Sequence, residues 1–265
     1  MAATAQQFET ERQVGAAVAD VIVAGVRAAA DARRPYVICS PSGRTPLPVY
    51  DALRRRIAER PLPLDHVVVT MLDEYVEELP DGAYRHVDAT LPHSCTRWAM
   101  TEILDRVNGA GPVTPLTREN LWIPDPRDPG GHEARIQELG GFDLLLLASG
   151  ASDGHVAFNP QGTARAARTR VVPLSDATRS DNLRTFPTFV SIEDVPRFGV
   201  TLGPGSMADL AAQTILMITG PEKREAAVRI LGTAGYEESW PATIVHECAR
   251  AAIYLDRSAA TMIDL

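Results

Sequence analysis

Residues 143–163 constrain the fold of this chain more than any other stretch. They begin with Asp143 and four consecutive leucines, an apolar run that predicts a strand buried on both faces of a parallel sheet. Glycine, serine and aspartate follow, which are typical of a tight turn. Asp153 and His155 stand two positions apart in this turn. Because active sites of open α/β sheets lie at the carboxyl ends of strands, we expect acid–base chemistry here.

Strands and helices alternate along the rest of the chain. Strands are predicted near residues 36–39, 66–72, 121–123, 169–173, 198–202, 214–219 and 252–256. Helices are predicted near residues 8–33, 46–60, 94–107, 131–139 and 175–186, and again from about residues 207, 220 and 240. Residues 77–93 are predicted to form a loop. The alternation indicates an α/β fold with a single doubly wound, mostly parallel sheet and helices on both faces, Rossmann-like, forming one domain over residues 1–265.

Composition excludes several classes of function. A hydrophobic content of 45% and a charged content of 23% are ordinary for a soluble globular protein. The net charge of −8 argues against a nucleic-acid partner. No uninterrupted apolar segment approaches the roughly 20 residues of a membrane span, and the N-terminus lacks the pattern of a signal peptide. Cys39, Cys95 and Cys248 are few and far apart, so we expect reduced thiols and a cytoplasmic protein that contacts no membrane.

Two features indicate an anion site. Ser42, Gly43, Arg44 and Thr45 lie between a predicted strand and a predicted helix, where backbone N–H groups and hydroxyls can face a phosphate. The signal is weak, because many strand–helix turns contain such residues, and the loop is neither a Walker A nor a GxGxxG motif. All but one of the 26 basic residues are arginine, and the exception, Lys223, opens a predicted helix. A cation is unfavourable at a helix N-terminus unless an anion joins it, so the position favours ligand binding over chance.

A second carboxylate pair follows another predicted strand. Asp73 and Glu74 come directly after residues 66–72, at the same edge of the sheet as Asp153 and His155. Such an acid more commonly caps a turn. A catalytic role and a capping role both remain open for Asp73 from the residues alone.

Several segments, taken in order, resemble one known family. They are Ser40-Pro-Ser-Gly-Arg-Thr-Pro46, Leu72-Asp-Glu-Tyr-Val76, Asp153-Gly-His-Val-Ala-Phe-Asn159, Thr178-Arg179, residues 195–205, Lys223 and Trp240-Pro241. The chain resembles the glucosamine-6-phosphate deaminase/isomerase family, which shares its fold with the 6-phosphogluconolactonases. The segments span almost the whole chain. The Asp-Glu-Tyr, His-Val-Ala-Phe-Asn and Thr-Leu-Gly-Pro-Gly segments are more similar to the deaminases than to the lactonases.

The resemblance implies a role for each candidate residue. Asp73 would be the base that moves a proton between C2 and C1 of an open-chain sugar. His155, oriented by Asp153, would assist ring opening. The residues implied to bind the phosphate of the substrate are Ser42, Gly43, Arg44, Thr45, Arg179 and Lys223.

The chain departs from the family pattern in two places. Pro160 stands where the deaminases have a glutamate that completes a relay with the histidine and aspartate, and proline cannot transfer a proton. The stretch of residues 83–93 resembles an insertion. His86 or His93 in this stretch could supply an acid–base group, although an ordinary loop histidine is the favoured interpretation.

The functional hypotheses therefore have an order. A phosphosugar enzyme similar to glucosamine-6-phosphate deaminase, of the hydrolase class, comes first, and a relative with an altered substrate follows it closely. A 6-phosphogluconolactonase-type hydrolase is next, because it needs no glutamate at position 160. A sugar-phosphate sensor without turnover is last. We expect no cofactor and no metal, since no dinucleotide fingerprint or metal-ligand cluster is present in the sequence, and a homo-oligomer is possible.

Overall fold

The computed structural model describes residues 3–186 and 188–261 of the protein. The strands are β1 Thr4–Phe8, β2 Tyr36–Ser40, β3 Val67–Met71, β4 Asp73–Glu78, β5 Tyr84–His86, β6 Leu121–Trp122, β7 Leu144–Ala148, β8 Arg170–Pro173, β9 Phe198–Thr201, β10 Thr214–Ile218 and β11 Ala251–Asp256. The helices are α1 Glu11–Asp31, α2 Leu47–Glu59, α3 Cys95–Trp98, α4 Arg106–Asn108, α5 Pro129–Glu138, α6 Asp176–Thr185, α7 Pro204–Leu210 and α8 Arg224–Leu231. A π-helical segment, Ala99–Asp105, joins α3 to α4.

Seven strands form a parallel sheet in the order β1-β11-β10-β7-β2-β3-β6. The leucine run forms β7, which lies in the middle of this order and is buried along nearly its whole length. From β2 the chain continues to β3 on one side, whereas from β7 it continues to β10 on the other side. The carboxyl ends of β2 and β7 therefore flank the crevice at which the strand order reverses, the usual ligand position in such sheets.

Alternate residues of the central strands pack into two separate cores, because successive side chains of a strand point to opposite faces. Tyr36 and Ile38 of β2 pack with α1, α2 and the segment from α3 to α4. Val37 and Cys39 pack with α5, α7, α8 and the segment around Trp240. Helices thus cover both faces, and the predicted doubly wound, mostly parallel sheet is confirmed.

A second sheet, which the sequence analysis did not predict, lies beside the first. Its order is β5-β4-β9-β8 and all its pairs are antiparallel. Leu72 connects the two sheets, since its N–H donates to Ser40 of β2 (3.1 Å) and its carbonyl accepts from Leu202 N (2.8 Å), directly after β9. Asp73 therefore stands at the point where the chain leaves the parallel sheet.

The helix and strand predictions hold with four differences. β4 was not predicted, and its last two residues lie in the predicted loop of residues 77–93. β1 was missed, because its sequence TAQQF is polar and largely exposed, as a strand at the edge of a sheet can be. β5 lies inside the predicted loop of residues 77–93. The segment Pro241–Glu247 is a 3₁₀ helix rather than an α-helix, and it contains three consecutive β-branched residues.

One helix of the described residues, α1, is long and apolar enough by length and composition to cross a membrane. The sequence analysis predicted this helix but did not identify it as a candidate membrane span, because Asp20 and Arg27 interrupt its apolar residues. In the fold its apolar face packs in the core between the sheet and α2, as in a core helix.

Candidate active site

A cleft of about 580 Å³ opens at the crevice between β2 and β7. The loops that follow β2, β3, β7 and β10 all contribute to it, together with α6. Its charged and polar lining residues are Glu11, Ser42, Arg44, Thr45, Asp73, Tyr75, Ser149, His155, Asp181, Asn182, Thr219, Glu222 and Lys223. The structure therefore brings together most of the residues that the sequence predicts, although they are far apart along the chain.

The loop of Ser42, Gly43, Arg44 and Thr45 forms one wall of the cleft. Gly43 has a φ of +85°, a conformation that glycine adopts without strain. No side chain caps the N-terminus of α2, which begins directly after this loop. Such an uncapped helix start beside a cleft suits an anionic group, so the predicted phosphate role keeps its physical basis.

Lys223 reaches the same cleft from the opposite wall. Its Nζ donates to the carbonyl of Ser149 at 2.6 Å, which fixes the ammonium group at the end of β7. Burial lowers the pKa of Lys223, while the carboxylates of Asp181 and Glu222 act in the opposite direction. The only lysine of the chain therefore presents a partly desolvated cation where an anionic substrate group would gain most from it.

Arg179 is placed differently from the other predicted phosphate ligands. Its guanidinium donates to the carbonyls of Ile192 and Val195, the latter at 3.2 Å, and lies 3.6 Å from the carboxylate of Asp176. Arg179 is not among the lining residues of the cleft. In this structure it anchors α6 to the following segment, and its phosphate-binding role stays a prediction.

Asp73 is buried at the floor of the cleft, at the start of β4. Burial raises the pKa of Asp73 to about 7, and a hydrogen bond from Cys95 opposes this rise. The Sγ atom of Cys95 lies 3.5 Å from Asp73 Oδ1 and 3.3 Å from Ser42 Oγ. A carboxylate that is half-ionised near neutrality is suited to act as a general base.

Glu74 holds Cys95 and the start of α3 in place beside Asp73, a role that the sequence analysis did not assign to it. Its fully buried carboxylate accepts hydrogen bonds from Ser94 Oγ, from the N–H groups of Tyr75, Cys95 and Thr96, and from Thr96 Oγ1. Glu74 thus satisfies the N-terminus of α3 and holds Cys95 against Asp73. The signal available in the sequence was the pair of hydroxyl residues around Cys95 at a predicted helix start.

Asp153 and His155 form the expected pair on the turn after β7. His155 Nδ1 lies 2.7 Å from Asp153 Oδ1, and the backbone N–H of His155 donates to the same oxygen at 3.2 Å. Burial acts to raise the pKa of Asp153, but its bonds to His155 prevail and lower it. A side chain at Gly150 would collide with both groups, so the close approach of the pair requires glycine there.

Asp181 is a third acidic group at this pair, and the sequence analysis missed it. Asp153, His155 and Asp181 each offer a donor atom, and these atoms lie within 4.8 Å of one another. They are the group of described residues that could hold a metal ion by spacing. The 2.7 Å separation within the Asp153–His155 pair is that of a hydrogen bond, so we assign the group to proton chemistry.

The residues that depart from the family pattern do not line the cleft. The carbonyl of Pro160 accepts from the hydroxyl of Thr163 at 2.7 Å in a turn. His86 Nε2 lies 2.7 Å from the carbonyl of Pro124. His93 packs against the rings of Tyr75 and Phe189, at centroid distances of 5.4 and 4.7 Å. Both histidines are partly buried and have structural contacts, so neither supplies a group to the cleft in this structure.

The comparisons with known proteins identify the family and the fold of the chain. The family described as glucosamine-6-phosphate isomerases/6-phosphogluconolactonase matches residues 9–254. A glucosamine-6-phosphate deaminase of Arthrobacter sp. (strain FB24) is 37% identical over 221 residues, covering 81% of this chain and 75% of that protein. A glucosamine-6-phosphate deaminase of Pseudarthrobacter chlorophenolicus is 34% identical over 263 residues, covering 96% of this chain and 90% of that protein.

Two solved structures extend the comparison to the fold. A monomeric glucosamine-6-phosphate deaminase superposes with a TM-score of 0.83 at 24% identity, covering 98% of this chain and 100% of that chain. A 6-phosphogluconolactonase from Trypanosoma cruzi superposes with a TM-score of 0.70 at 18% identity, covering 99% and 97%. Because the family match extends over residues 9–254, nearly the whole chain, the chain belongs to the family of glucosamine-6-phosphate isomerases and 6-phosphogluconolactonases.

Proposed function

We propose that this protein converts glucosamine 6-phosphate and water into fructose 6-phosphate and ammonia. The observation that carries the proposal is Asp73, a buried carboxyl group whose pKa is raised to about 7, in one cleft with His155, which is hydrogen-bonded to Asp153. The curated relatives that are named glucosamine-6-phosphate deaminase support this choice of reaction.

Ring opening is assigned to His155. The Asp153 carboxylate can only accept a hydrogen bond, so Nδ1 of His155 carries a proton and the lone pair of the neutral ring lies on Nε2. Nε2 can take the proton of the C1 hydroxyl while the bond between C1 and O5 breaks. The same proton then passes from His155 to O5, which leaves an open-chain aldehyde and an unchanged histidine.

Isomerisation is assigned to Asp73. In its ionised form the carboxylate takes the proton from C2 and returns it to C1. The C1 oxygen gains a proton and the C2 amino group loses one, so the double bond moves and the product has a hydroxyl at C1 and an imine at C2. Hydrolysis of that imine consumes the water and releases ammonia. The apolar surroundings that raise the pKa of Asp73 also make the carboxylate a stronger base than a solvated one.

The phosphate is assigned to the two cationic walls of the cleft. Lys223 provides a point charge, and the loop of Ser42, Gly43, Arg44 and Thr45 provides hydroxyl and backbone donors. Binding at both walls would hold C1 and C2 over Asp73. The homo-oligomer that the sequence left possible is not needed for this arrangement, since one chain supplies all these residues.

Direct assay tests the proposal. Purified protein should release ammonia and fructose 6-phosphate from glucosamine 6-phosphate in equal amounts. Absence of turnover over pH 6–9 would reject this reaction. Ligand-induced stabilisation by phosphosugars without any turnover would instead favour the sensor hypothesis.

Lactone hydrolysis is the second candidate, favoured by Pro160 and by the shared fold of the lactonases. His155 and Asp153 could activate water against a phosphorylated lactone without a further carboxylate. Hydrolysis of 6-phosphogluconolactone that survives Asp73→Asn would identify this reaction, because deamination depends on Asp73 and lactone hydrolysis does not.

A further inference from the structure

Helix α6 contributes a carboxylate to the acid–base pair from a separate part of the fold. Asp153 and His155 lie on the turn after β7, whereas Asp181 lies in the second half of α6 and lines the cleft. The donor atoms of the three residues lie within 4.8 Å of one another. His155 is therefore close to one carboxylate from its own turn and to a second from α6.

Contacts in the first turns of α6 hold the helix beside the cleft. The side chain of Ser175 caps the helix by accepting from Thr178 N at 3.1 Å, and Thr178 is buried. Arg179 ties the same turn to the carbonyls of Ile192 and Val195. These contacts fix the helix one turn before Asp181, so the carboxylate is held towards the cleft by the fold.

A carboxylate at this distance acts on His155 through charge. An opposite charge within about 4–6 Å favours the protonated imidazole, and the effect is greater in a partly buried cleft. Asp153 and Asp181 lie beside His155, and the other charged groups that line the cleft from the surrounding elements are Glu11, Asp73, Glu222, Lys223 and Arg44. Lys223 and Arg44 oppose the carboxylates, so loss of Asp181 would shift the balance around His155 towards positive charge.

We propose that Asp181 is a positioning residue for His155. The carboxylate of Asp181 holds the protonated imidazole in the cleft while a proton moves between the sugar oxygens. In its catalytic part this inference rests on the proposed function. Asp181 neither accepts nor donates a proton in the ring-opening and isomerisation steps. It stabilises the imidazolium that exists after His155 has taken the C1 hydroxyl proton and before O5 receives it.

The pairing can be tested without turnover. In the full-length protein, the pKa of His155 is measured by NMR titration of the imidazole signals, assigned with His155→Gln. In Asp181→Asn the imidazole should lose its proton at a lower pH than in the wild type, because a nearby carboxylate is gone. The matched control is Asp176→Asn, which removes a carboxylate from the same helix whose side chain is 90% exposed, and it should leave the pKa of His155 unchanged.

Steady-state kinetics with glucosamine 6-phosphate test the catalytic role, in buffer with a metal chelator. Asp181→Asn should lower kcat roughly tenfold with little change in KM, because a positioning group acts on the chemical step. Asp181→Glu should restore part of the rate, whereas Asp176→Asn should behave as the wild-type protein. Thermal unfolding of each variant separates this effect from loss of structure.

Each outcome decides the inference. An unchanged pKa of His155 in Asp181→Asn overturns the pairing, whatever the activity. A lowered pKa with an unchanged kcat overturns the catalytic role. If the wild-type protein does not turn over glucosamine 6-phosphate, the proposed function fails, and the NMR titration alone decides the pairing.

Discussion

Asp73 and Asp153 are buried aspartates on the same edge of one sheet, and their surroundings move their pKa values in opposite directions. Asp73 is desolvated, and the hydrogen bond from the thiol of Cys95 offsets this only in part, so the pKa of Asp73 rises to about 7. Asp153 is also desolvated, but the imidazole of His155 binds it and lowers its pKa.

The hydrogen-bond partner of an acidic residue in this site, and not burial alone, therefore determines the direction of its pKa shift and its role. A carboxyl group with a pKa near neutrality can exchange a proton with substrate, whereas one held ionised orients its neighbour. The two residues therefore have separate tasks, although their residue type and position in the sheet are alike.

The largest expected effect on kcat follows removal of the carboxyl group of Asp73, which exchanges a proton with the substrate. Asp73→Asn should lower kcat for glucosamine 6-phosphate by roughly 10²–10⁴-fold, because the amide cannot take the C2 proton. KM should change little. Coupled assay of fructose 6-phosphate measures both, and a loss smaller than tenfold would show that Asp73 is not the base.

A smaller loss of kcat is expected when Asp153, which orients His155, is replaced. Asp153→Asn should lower kcat by roughly 10²-fold, since His155 loses the carboxylate that fixes its tautomer. The exchange of hydrogen at C2 with solvent, measured on substrate whose ring opens spontaneously, should persist in this variant. Loss of that exchange would mean that Asp153 and Asp73 act as one unit.

At pH 8, Asp73→Asn and Asp153→Asn should change the free energy of unfolding in opposite directions. Because the pKa of Asp73 is raised in the folded chain, its contribution to stability is complete below about pH 4 and is lost as pH rises through about 7. Asp73→Asn should therefore be more stable than the wild type at pH 8, by at most about 4 kcal/mol at about 1.4 kcal/mol per pKa unit.

For Asp153 the sign is reversed. Its lowered pKa means that the ionised group stabilises the fold above its unfolded pKa and loses this contribution as pH falls through the folded pKa. Asp153→Asn should thus be less stable than the wild type at pH 8. Urea unfolding at pH 5 and pH 8 measures both variants, and a change of the same sign would contradict the contrast between the two sites.

The smallest expected effect concerns the thiol beside Asp73. Cys95→Ala removes a weak donor to the carboxylate, so the pKa of Asp73 should rise and the acidic limb of the profile of kcat/KM should move up by roughly half a unit. Cys95→Ser is the matched control that keeps a donor. A limb that moves equally in both variants would show that packing, and not the hydrogen bond, is responsible.

The parallel sheet and the candidate residues Asp73, His155 and Lys223 of the cleft could be predicted from the sequence, because they depend on local patterns. The leucine run of β7 and the polar turns after β2, β3, β7 and β10 are visible in the residues themselves. Residues that follow neighbouring parallel strands must meet at one edge, so Asp73 and His155 could be placed together without coordinates.

The remaining features depend on contacts between distant segments. Asp181 faces His155 because α6 folds across the cleft, which no pattern within α6 indicates. Arg179 matches a family motif, but the structure places its guanidinium on backbone carbonyls. The antiparallel sheet was missed because β4 and β5 were not predicted as strands. The segments of β8 and β9 were predicted, but the pairing of β9 with β4 joins distant parts of the chain.

The passage of the chain from β3 into β4 has a consequence for the order of folding. Asp73 pairs with Thr201 across more than a hundred residues, and Leu72 bonds to both sheets. Contacts of such separation close large loops and form late. In refolding experiments, the fluorescence change that accompanies burial of the central core should therefore precede recovery of turnover, since the catalytic base reaches its place only when both sheets have joined.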